Sequence, residues 1–208
     1  MRVLFIILLV LLSDLFVFGQ EFKPVSNIPE CKKNIQNYHA SMKSLVADFG
    51  EIVYSQMLIQ PQKGSGKIYY KQVQKIRWEH NDPKKKIILI SGKSFRMNEN
   101  GKEVVGNNIK TVGKKIQDIM IKMLTGEFLN EKDFGITYYE SGKQYKLLLR
   151  PKNNQMAKYI SEIQLLFDKK SLILAEMSMI ENEKEKVVYT FTNYQLNQII
   201  NDSKFYNF

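Results

Sequence analysis

Residues that commonly bind metals or act as catalytic groups are few in this sequence, and they do not occur in known motifs. The 208 residues include 2 His and 1 Cys, which excludes a multi-Cys zinc or iron–sulfur centre and a His-rich metal site. Neither His39 nor His80 lies in an HExxH motif, and neither has a nucleophile at a recognisable spacing. We therefore predict structural or solvated roles for both histidines, and no bound metal.

Two glycine-containing segments resemble parts of catalytic motifs but lack their spacing. Gly92-Lys93-Ser94 resembles the end of a phosphate-binding loop, but that loop needs a glycine where this chain has Ile87. Gly64-Ser65-Gly66 lacks the G-x-S-x-G spacing of a hydrolase nucleophile. Both segments are better explained as turns, and the scattered carboxylates define no acid–base pair. The sequence therefore predicts that the protein has no cofactor and is not an enzyme.

The charge balance is strongly basic. Lys and Arg number 31 against 21 acidic residues, which gives a formal net charge of +10. The lysine clusters, such as Lys84–Lys86 and Lys169–Lys170, are spread along the chain, and a solvated surface explains them. Attraction to an anionic lipid surface or to an acidic docking protein is the alternative. Nucleic acid is not expected as a partner, because aromatic residues are not interleaved with these charges.

The N-terminus has the pattern of a secretory signal peptide. An apolar run follows Arg2, and Gly19 is a small residue suited to a cleavage site. Asp14 lies beyond an apolar run of about ten residues, which is too short to cross a bilayer. We therefore expect a signal peptide over residues 1–19, followed by a single domain over residues 20–208 that works outside the cytoplasm.

Two segments show the spacing of amphipathic helices. The first runs from Pro29 to about Val46, and an apolar residue recurs in it at every third or fourth position. The second runs from Val112 to Leu124 and is followed by Gly126, a good helix stop. The two apolar faces consist of Cys31, Ile35, Tyr38, Met42 and Leu45 in the first helix, and of Val112, Ile116, Ile119, Met120, Met123 and Leu124 in the second.

Almost all of the remaining chain is typical of β-strands. Segments rich in β-branched and aromatic residues alternate with turns such as Glu99-Asn100-Gly101 and Ser141-Gly142. The predicted strands are Glu51–Gln60, Gly66–Lys71, Lys75–His80, Lys86–Ser91, Gly135–Glu140, Lys143–Arg150, Lys158–Phe167, Leu172–Ile180 and Lys186–Leu196. Because most connections between them are short, successive strands are expected to be antiparallel neighbours.

One curved sheet accounts for these elements economically, because two helices cannot cover both faces of so many strands. We predict an α+β fold with a single strongly curved antiparallel sheet, an incomplete β-barrel of about nine to eleven strands. The two helices are expected to form a lid over an apolar cavity on the concave face. A polar cleft would instead favour an enzyme with an unrecognised site, and a filled interior would favour a structural or signalling module.

An ordered series of short segments resembles the LolA family of periplasmic lipoprotein carriers. Arg77-Trp78 stands where the family has Phe-Arg-Trp, although Ile76 replaces the phenylalanine. The resemblance covers the chain from Ala40 to Phe208. The segments that carry it are Gly66–Tyr70, Lys75–His80, Pro83, Ile88–Lys93, Leu149–Lys152, Ile163–Asp168, Tyr189–Asn197 and Phe205.

The resemblance implies a monomeric periplasmic carrier rather than an enzyme. Such a carrier accepts acylated lipoproteins from an inner-membrane ABC-type lipoprotein-release complex. It then delivers them to the outer membrane, through an outer-membrane receptor or at the membrane surface itself. A periplasmic carrier or sensor of another lipid or glycolipid on the same scaffold is the alternative.

The resemblance also gives one residue a specific role, and the apolar faces give the others. Arg77 occupies the place of the family arginine that hydrogen-bonds backbone groups of the lid and keeps the empty carrier closed. The predicted acyl-chain site combines Ile35, Tyr38, Met42, Leu45, Ile116, Ile119, Met120 and Met123 from the helices with Trp78, Tyr145, Leu147, Ile163, Leu165, Met177 and Met179 from the sheet.

Overall fold

The computed structural model describes residues 21–106 and 117–208, which form an antiparallel sheet of 12 strands with helices against one face. The strands are β1 (Lys23–Pro24), β2 (Ser44–Tyr54), β3 (Gln62–Lys71), β4 (Lys75–Asp82), β5 (Lys86–Ser91), β6 (Ser94–Glu99), β7 (Lys102–Val104), β8 (Phe134–Glu140), β9 (Gln144–Pro151), β10 (Glu162–Asp168), β11 (Leu174–Ile180) and β12 (Lys186–Leu196). Their order in the sheet is β1-β8-β9-β10-β11-β12-β2-β3-β4-β5-β6-β7. Because β1 and β7 stand at its two ends, the sheet is open, and the predicted α+β incomplete barrel is confirmed.

The first helix is shorter than its sequence pattern predicts. Helix α1 spans Ile28–Ser41, with the Asn27 side chain accepting a hydrogen bond from the backbone N–H of Glu30 at its start. It ends because Met42 adopts an extended conformation and β2 begins at Ser44. Leu45 therefore belongs to β2 and not to the helix, where a spacing of three residues from Met42 had suggested a continued helical face.

The second helix, α2, covers residues 117–125. Ile116 and the rest of the predicted segment before it lie outside the described residues. Gly126 ends the helix as predicted, with φ of 76°, a value that glycine adopts without strain. A short 3₁₀ helix, Glu127–Asn130, follows directly and buries Phe128 and Leu129.

Several strand boundaries differ from the predicted ones. The prediction lacks β6 and β7, although it includes the turn at Asn100 and Gly101 that joins them. These two strands lie at an edge and carry many polar residues, so their apolar alternation is weak. Strand β10 begins at Glu162 rather than Lys158, because the chain before it forms a short helix, α3 (Asn154–Ala157).

The core lies on the concave face of the sheet, beneath the helices. Neighbouring strands bring large apolar residues into direct register, as in the pair Leu147 and Leu165 and the pair Leu149 and Ile163. A smaller apolar group lies on the opposite face, where Leu89 and Phe205 are buried outside the main cluster. Phe205 belongs to a second 3₁₀ helix, Asp202–Phe205, which packs on β4 and β5. No helix within residues 21–106 and 117–208 is long and apolar enough to cross a membrane.

Candidate functional site

A cavity of about 250 Å³ lies between the concave face of the sheet and the two long helices. Most of its lining is apolar. Helix α1 contributes Tyr38 and His39, and Met42 follows directly after it. Helix α2 contributes Ile119, Met120, Met123 and Leu124. The sheet contributes Leu45, Ile68, Trp78, Ile88, Leu174, Met177, Met179, Tyr189, Phe191 and Tyr194, together with three polar residues, Glu51, His80 and Lys86.

Strand register explains why the sheet wall is continuous. Ile68 on β3 pairs with Trp78 on β4, which pairs in turn with Ile88 on β5. Met177 on β11 pairs with Tyr189 on β12 in the same way. Side chains of directly paired residues point to the same face of a sheet. Each of these sets of paired residues therefore lines the cavity with neighbouring apolar side chains.

Nine of the residues predicted for an acyl-chain site line this cavity. They are Tyr38, Met42, Leu45, Trp78, Ile119, Met120, Met123, Met177 and Met179. Leu45 reaches the cavity from the sheet wall rather than from the helix. Ile116, also predicted, lies outside the described residues.

Five other predicted residues are not part of the cavity lining. Ile35, Leu147, Ile163 and Leu165 are almost fully buried in the packed core, and half-buried Tyr145 packs against that core. The physical reason is the position of α1, whose His39 ring lies 6.3 Å from the Phe167 ring of β10. The helix thus fills the concave face over β9 and β10, and the space remains over β11, β12 and β2–β5.

Arg77 also lies in a different place from the predicted one. Residues alternate between faces along β4, so Arg77 points away from the Trp78 side. Its Nη1 donates hydrogen bonds to the backbone oxygens of Lys204, at 3.0 Å, and Asn207, and its Nε donates to Glu79. Within the described residues these bonds hold the C-terminal segment on the convex face and do not reach α1 or α2, and the role of Arg77 as a lid latch stays a prediction.

His39 makes a hydrogen bond between the two helices. Its Nδ1 lies 3.0 Å from the backbone oxygen of Leu124, near the end of α2. Burial lowers the pKa of His39, an effect that its bond to Leu124 only partly offsets, so the neutral ring donates from Nδ1. A Cβ atom at Gly126 would lie 2.9 Å from the His39 Cβ, so the glycine also permits this close approach.

Three polar residues, Glu51, His80 and Lys86, form a polar mouth in the lining of the apolar cavity. His80 Nδ1 lies 3.6 Å from Glu51 Oε2, and the two side chains are only 11% and 12% exposed. Burial raises the pKa of Glu51, but the neighbouring His80 and Tyr189 side chains and the charge of Lys86 outweigh it and lower the pKa overall. The carboxylate is therefore ionised at neutral pH.

Sequence patterns did not identify some of the lining residues. The two-residue alternation places Ile68 and Ile88 on the Trp78 face and could have indicated them. The same alternation places His80 on the Trp78 face and Glu51 on the Phe49 face, but neither residue belongs to a known motif that would indicate a function. Their proximity depends on the pairing of β2 with β3 and of β3 with β4.

Three solved structures illustrate the similarity of this chain to known proteins. A LolA superfamily protein from Nitrosomonas europaea has 10% sequence identity and a TM-score of 0.42, and the match covers 84% of this chain and 96% of that one. LppX from Mycobacterium tuberculosis has 9% identity and a TM-score of 0.45, with 84% of this chain and 99% of that one covered. LprF from Mycobacterium bovis has 14% identity and a TM-score of 0.43, with 82% and 94% covered. A comparison with curated proteins finds no match.

The family assignment rests on the sequence itself. The family model of the outer membrane lipoprotein carrier protein LolA matches residues 40–207, which is most of the chain. That family is one of carriers and not of enzymes. The chain with this apolar cavity belongs to the LolA family.

Proposed function

We propose that this protein carries lipoproteins through the periplasm by binding their acyl chains in the cavity beneath α1 and α2. The observation that supports this most directly is the cavity itself, about 250 Å³ in volume and lined by apolar side chains. Burial of an acyl chain there gains about 0.8 kcal/mol for each methylene removed from water. Membership of the LolA family supports lipoproteins as the source of the chains.

The volume of the cavity implies that loading moves the helices. Pockets for drug-sized ligands typically measure roughly 300–1,000 Å³, more than the 250 Å³ seen here. Complete acyl chains therefore need a wider space than this closed form provides. The free energy required to open the lid weakens net binding, which allows a tightly held cargo to be released.

The proposed pathway follows from the same family membership. The chain, after cleavage of residues 1–19, works as a periplasmic monomer and receives cargo from an inner-membrane ABC-type lipoprotein-release complex. The acceptor is an outer-membrane receptor or the membrane surface. The polar mouth favours a second candidate, a carrier of another lipid whose head group lies at this mouth.

The single tryptophan of the chain, Trp78, makes binding directly measurable, because it lines the cavity. Brominated acyl chains quench indole fluorescence on contact, so a brominated acyl peptide should quench Trp78 at saturable, low concentration. Native mass spectrometry of protein purified from the periplasm should then show bound acylated peptide. Bound free lipid would favour the second candidate, and absence of quenching by any acyl chain would contradict both.

A further inference from the structure

Glu51 is a charged residue at a position where strand alternation calls for an apolar one. It follows Leu45, Ala47 and Phe49 on the inward face of β2, and these three residues are buried. It pairs with Tyr189 on β12 and with Gly64 on β3. A Cβ atom at Gly64 would lie 2.8 Å from the backbone oxygen of Asp82 and 2.9 Å from Glu51 Oε2, so glycine is needed for the approach of β4 and also leaves space beside the carboxylate.

The polar mouth joins two spaces of opposite character. Glu51, His80 and Lys86 line the apolar cavity and also a second pocket of about 350 Å³. The rest of that pocket is mainly polar, with Gln62, Asp82, Lys84, Glu99 and Asn100. An amphiphile with its chain in the apolar cavity therefore places its head group beside the polar mouth.

Within the polar mouth, Glu51 is a mostly buried carboxylate. It is 12% exposed, its Oε2 lies 3.6 Å from His80 Nδ1, and it pairs with Tyr189 across β2 and β12. A carboxylate has about four lone-pair sites, which leaves acceptor sites for a ligand. Lys86 is half-buried at the rim, and a lysine side chain can move its ammonium group into water.

We propose that Glu51 selects the cargo by its head group, on the basis of the proposed function of the cavity as an acyl-chain site. The carboxylate accepts hydrogen bonds from head groups with hydroxyl, amide N–H or ammonium donors. It repels a free carboxylate, so fatty acids are disfavoured as ligands. N-acylated peptides and monoacylglycerols fit this requirement, because an amide N–H or a free hydroxyl, both uncharged donors, lies next to the acyl chain.

Competition among lauryl ligands with different head groups tests this selection. The assay measures how well each ligand displaces a brominated acyl probe and so restores the fluorescence of Trp78. The ligands are monolauroylglycerol, dodecylammonium and laurate, and the pH is 8, where laurate is ionised. We expect laurate to bind on the order of tenfold more weakly than the other two. In Glu51→Gln, which keeps the shape and removes the charge, laurate should recover most of that factor and dodecylammonium should lose affinity.

Two further variants keep the result interpretable. Glu183→Gln removes a carboxylate from the exposed β11–β12 turn and should leave the ligand ranking unchanged. If laurate binds most tightly to the parent protein and its affinity falls in Lys86→Met, the polar mouth recognises anionic head groups and the proposal is overturned. Should Glu51→Gln fail to fold, the order of the three affinities in the parent protein still tests whether free carboxylates are disfavoured.

The two levels of the proposal fail in different ways. Equal affinity for the three ligands, unchanged in Glu51→Gln, refutes the head-group selection but leaves the acyl-chain site intact. If no lauryl ligand displaces the probe, or the probe itself does not bind, the proposed function fails and the selection fails with it.

Discussion

His39 on α1 and Leu124 on α2 are joined by one hydrogen bond, 3.0 Å from the imidazole Nδ1 to the backbone oxygen. Both residues line the cavity, so this bond ties together the two helices that cover it. The Leu124 oxygen lies at the end of α2, where the carbonyl groups have no partner within the helix. Opening of the lid by separation of these helices has to break this bond.

Replacement of His39 by Leu should destabilise the closed form. The substitution leaves the partly buried carbonyl group of Leu124 without its donor, which costs on the order of 1 kcal/mol. His39→Asn is the matched control, because its amide nitrogen can donate from nearly the same position as Nδ1. Urea denaturation should show a clear loss of stability in the first variant and a smaller one in the second. Equal losses would mean that the ring packing, not the bond, matters.

Stability should fall on mild acidification because of the same residue. Burial lowers the pKa of His39 in the folded protein, whereas the unfolded chain titrates near its ordinary value of about 6.5. Between these values the unfolded chain binds a proton that the folded protein does not, so stability decreases as the pH falls. We expect the urea midpoint to decrease between about pH 7.5 and 5.5, with a smaller decrease in His39→Asn.

Carboxylates do not obscure that pH window. Hydrogen bonds from Lys169 and Ser26 lower the pKa of Glu140 to about 2, and those from Lys71 and Lys75 lower the pKa of Asp202 to about 2. Their stabilising contribution is present above the unfolded values near 4 and is lost only at lower pH. A decrease of the same size in His39→Asn would assign the effect to another group.

A charge placed in the cavity should abolish acyl-chain binding. Met177 is 5% exposed and lines the cavity, so Met177→Glu places a carboxylate among apolar side chains. Met57→Glu makes the same change at a residue that is 92% exposed. Quenching of Trp78 by a brominated chain should disappear in the first variant and persist in the second. Persistence in both would show that the chains bind elsewhere.

Apolar spacing predicts much of the cavity, because it depends only on local geometry. Helical spacing gives Tyr38, Met42, Ile119, Met120 and Met123, and strand alternation places Met177 and Met179 on one face. Alternation could not show which part of that face α1 covers, and Leu147 and Leu165 were therefore included although the helix packs over their strands. That choice depends on packing between distant segments.

The prediction for Arg77 has a different origin. The resemblance supplied its role, yet alternation already places Arg77 and Trp78 on opposite faces of β4. An arginine next to a cavity-lining residue in a strand points away from the cavity. Arg77 instead donates hydrogen bonds to the backbone oxygens of Lys204 and Asn207. These residues lie more than a hundred positions later in the chain, and no sequence motif marks them as its partners.

Replacement of Arg77 by Leu separates the two roles considered for this residue. The side chain is 7% exposed and its partner Glu79 is 19% exposed, so the substitution leaves a mostly buried carboxylate without its cation. Loss of one partner of a buried pair costs on the order of 3–5 kcal/mol, and urea denaturation should show a decrease of about that size. Arg150→Leu is the control: this arginine is 68% exposed, and its partner Glu162 keeps the hydrogen bond donated by Gln164, so a smaller loss is expected.

Delivery of cargo provides the second measurement on the same variant. Arg77 holds the C-terminal segment on the convex face, while the cavity and its helices lie on the concave face. We therefore expect Arg77→Leu, at a temperature where it remains folded, to bind the brominated chain and release it to acceptor membranes as the parent protein does. Accumulation of loaded carrier in this variant, and not in Arg150→Leu, would instead mean that Arg77 keeps the lid closed, because a weaker lid binds cargo more tightly.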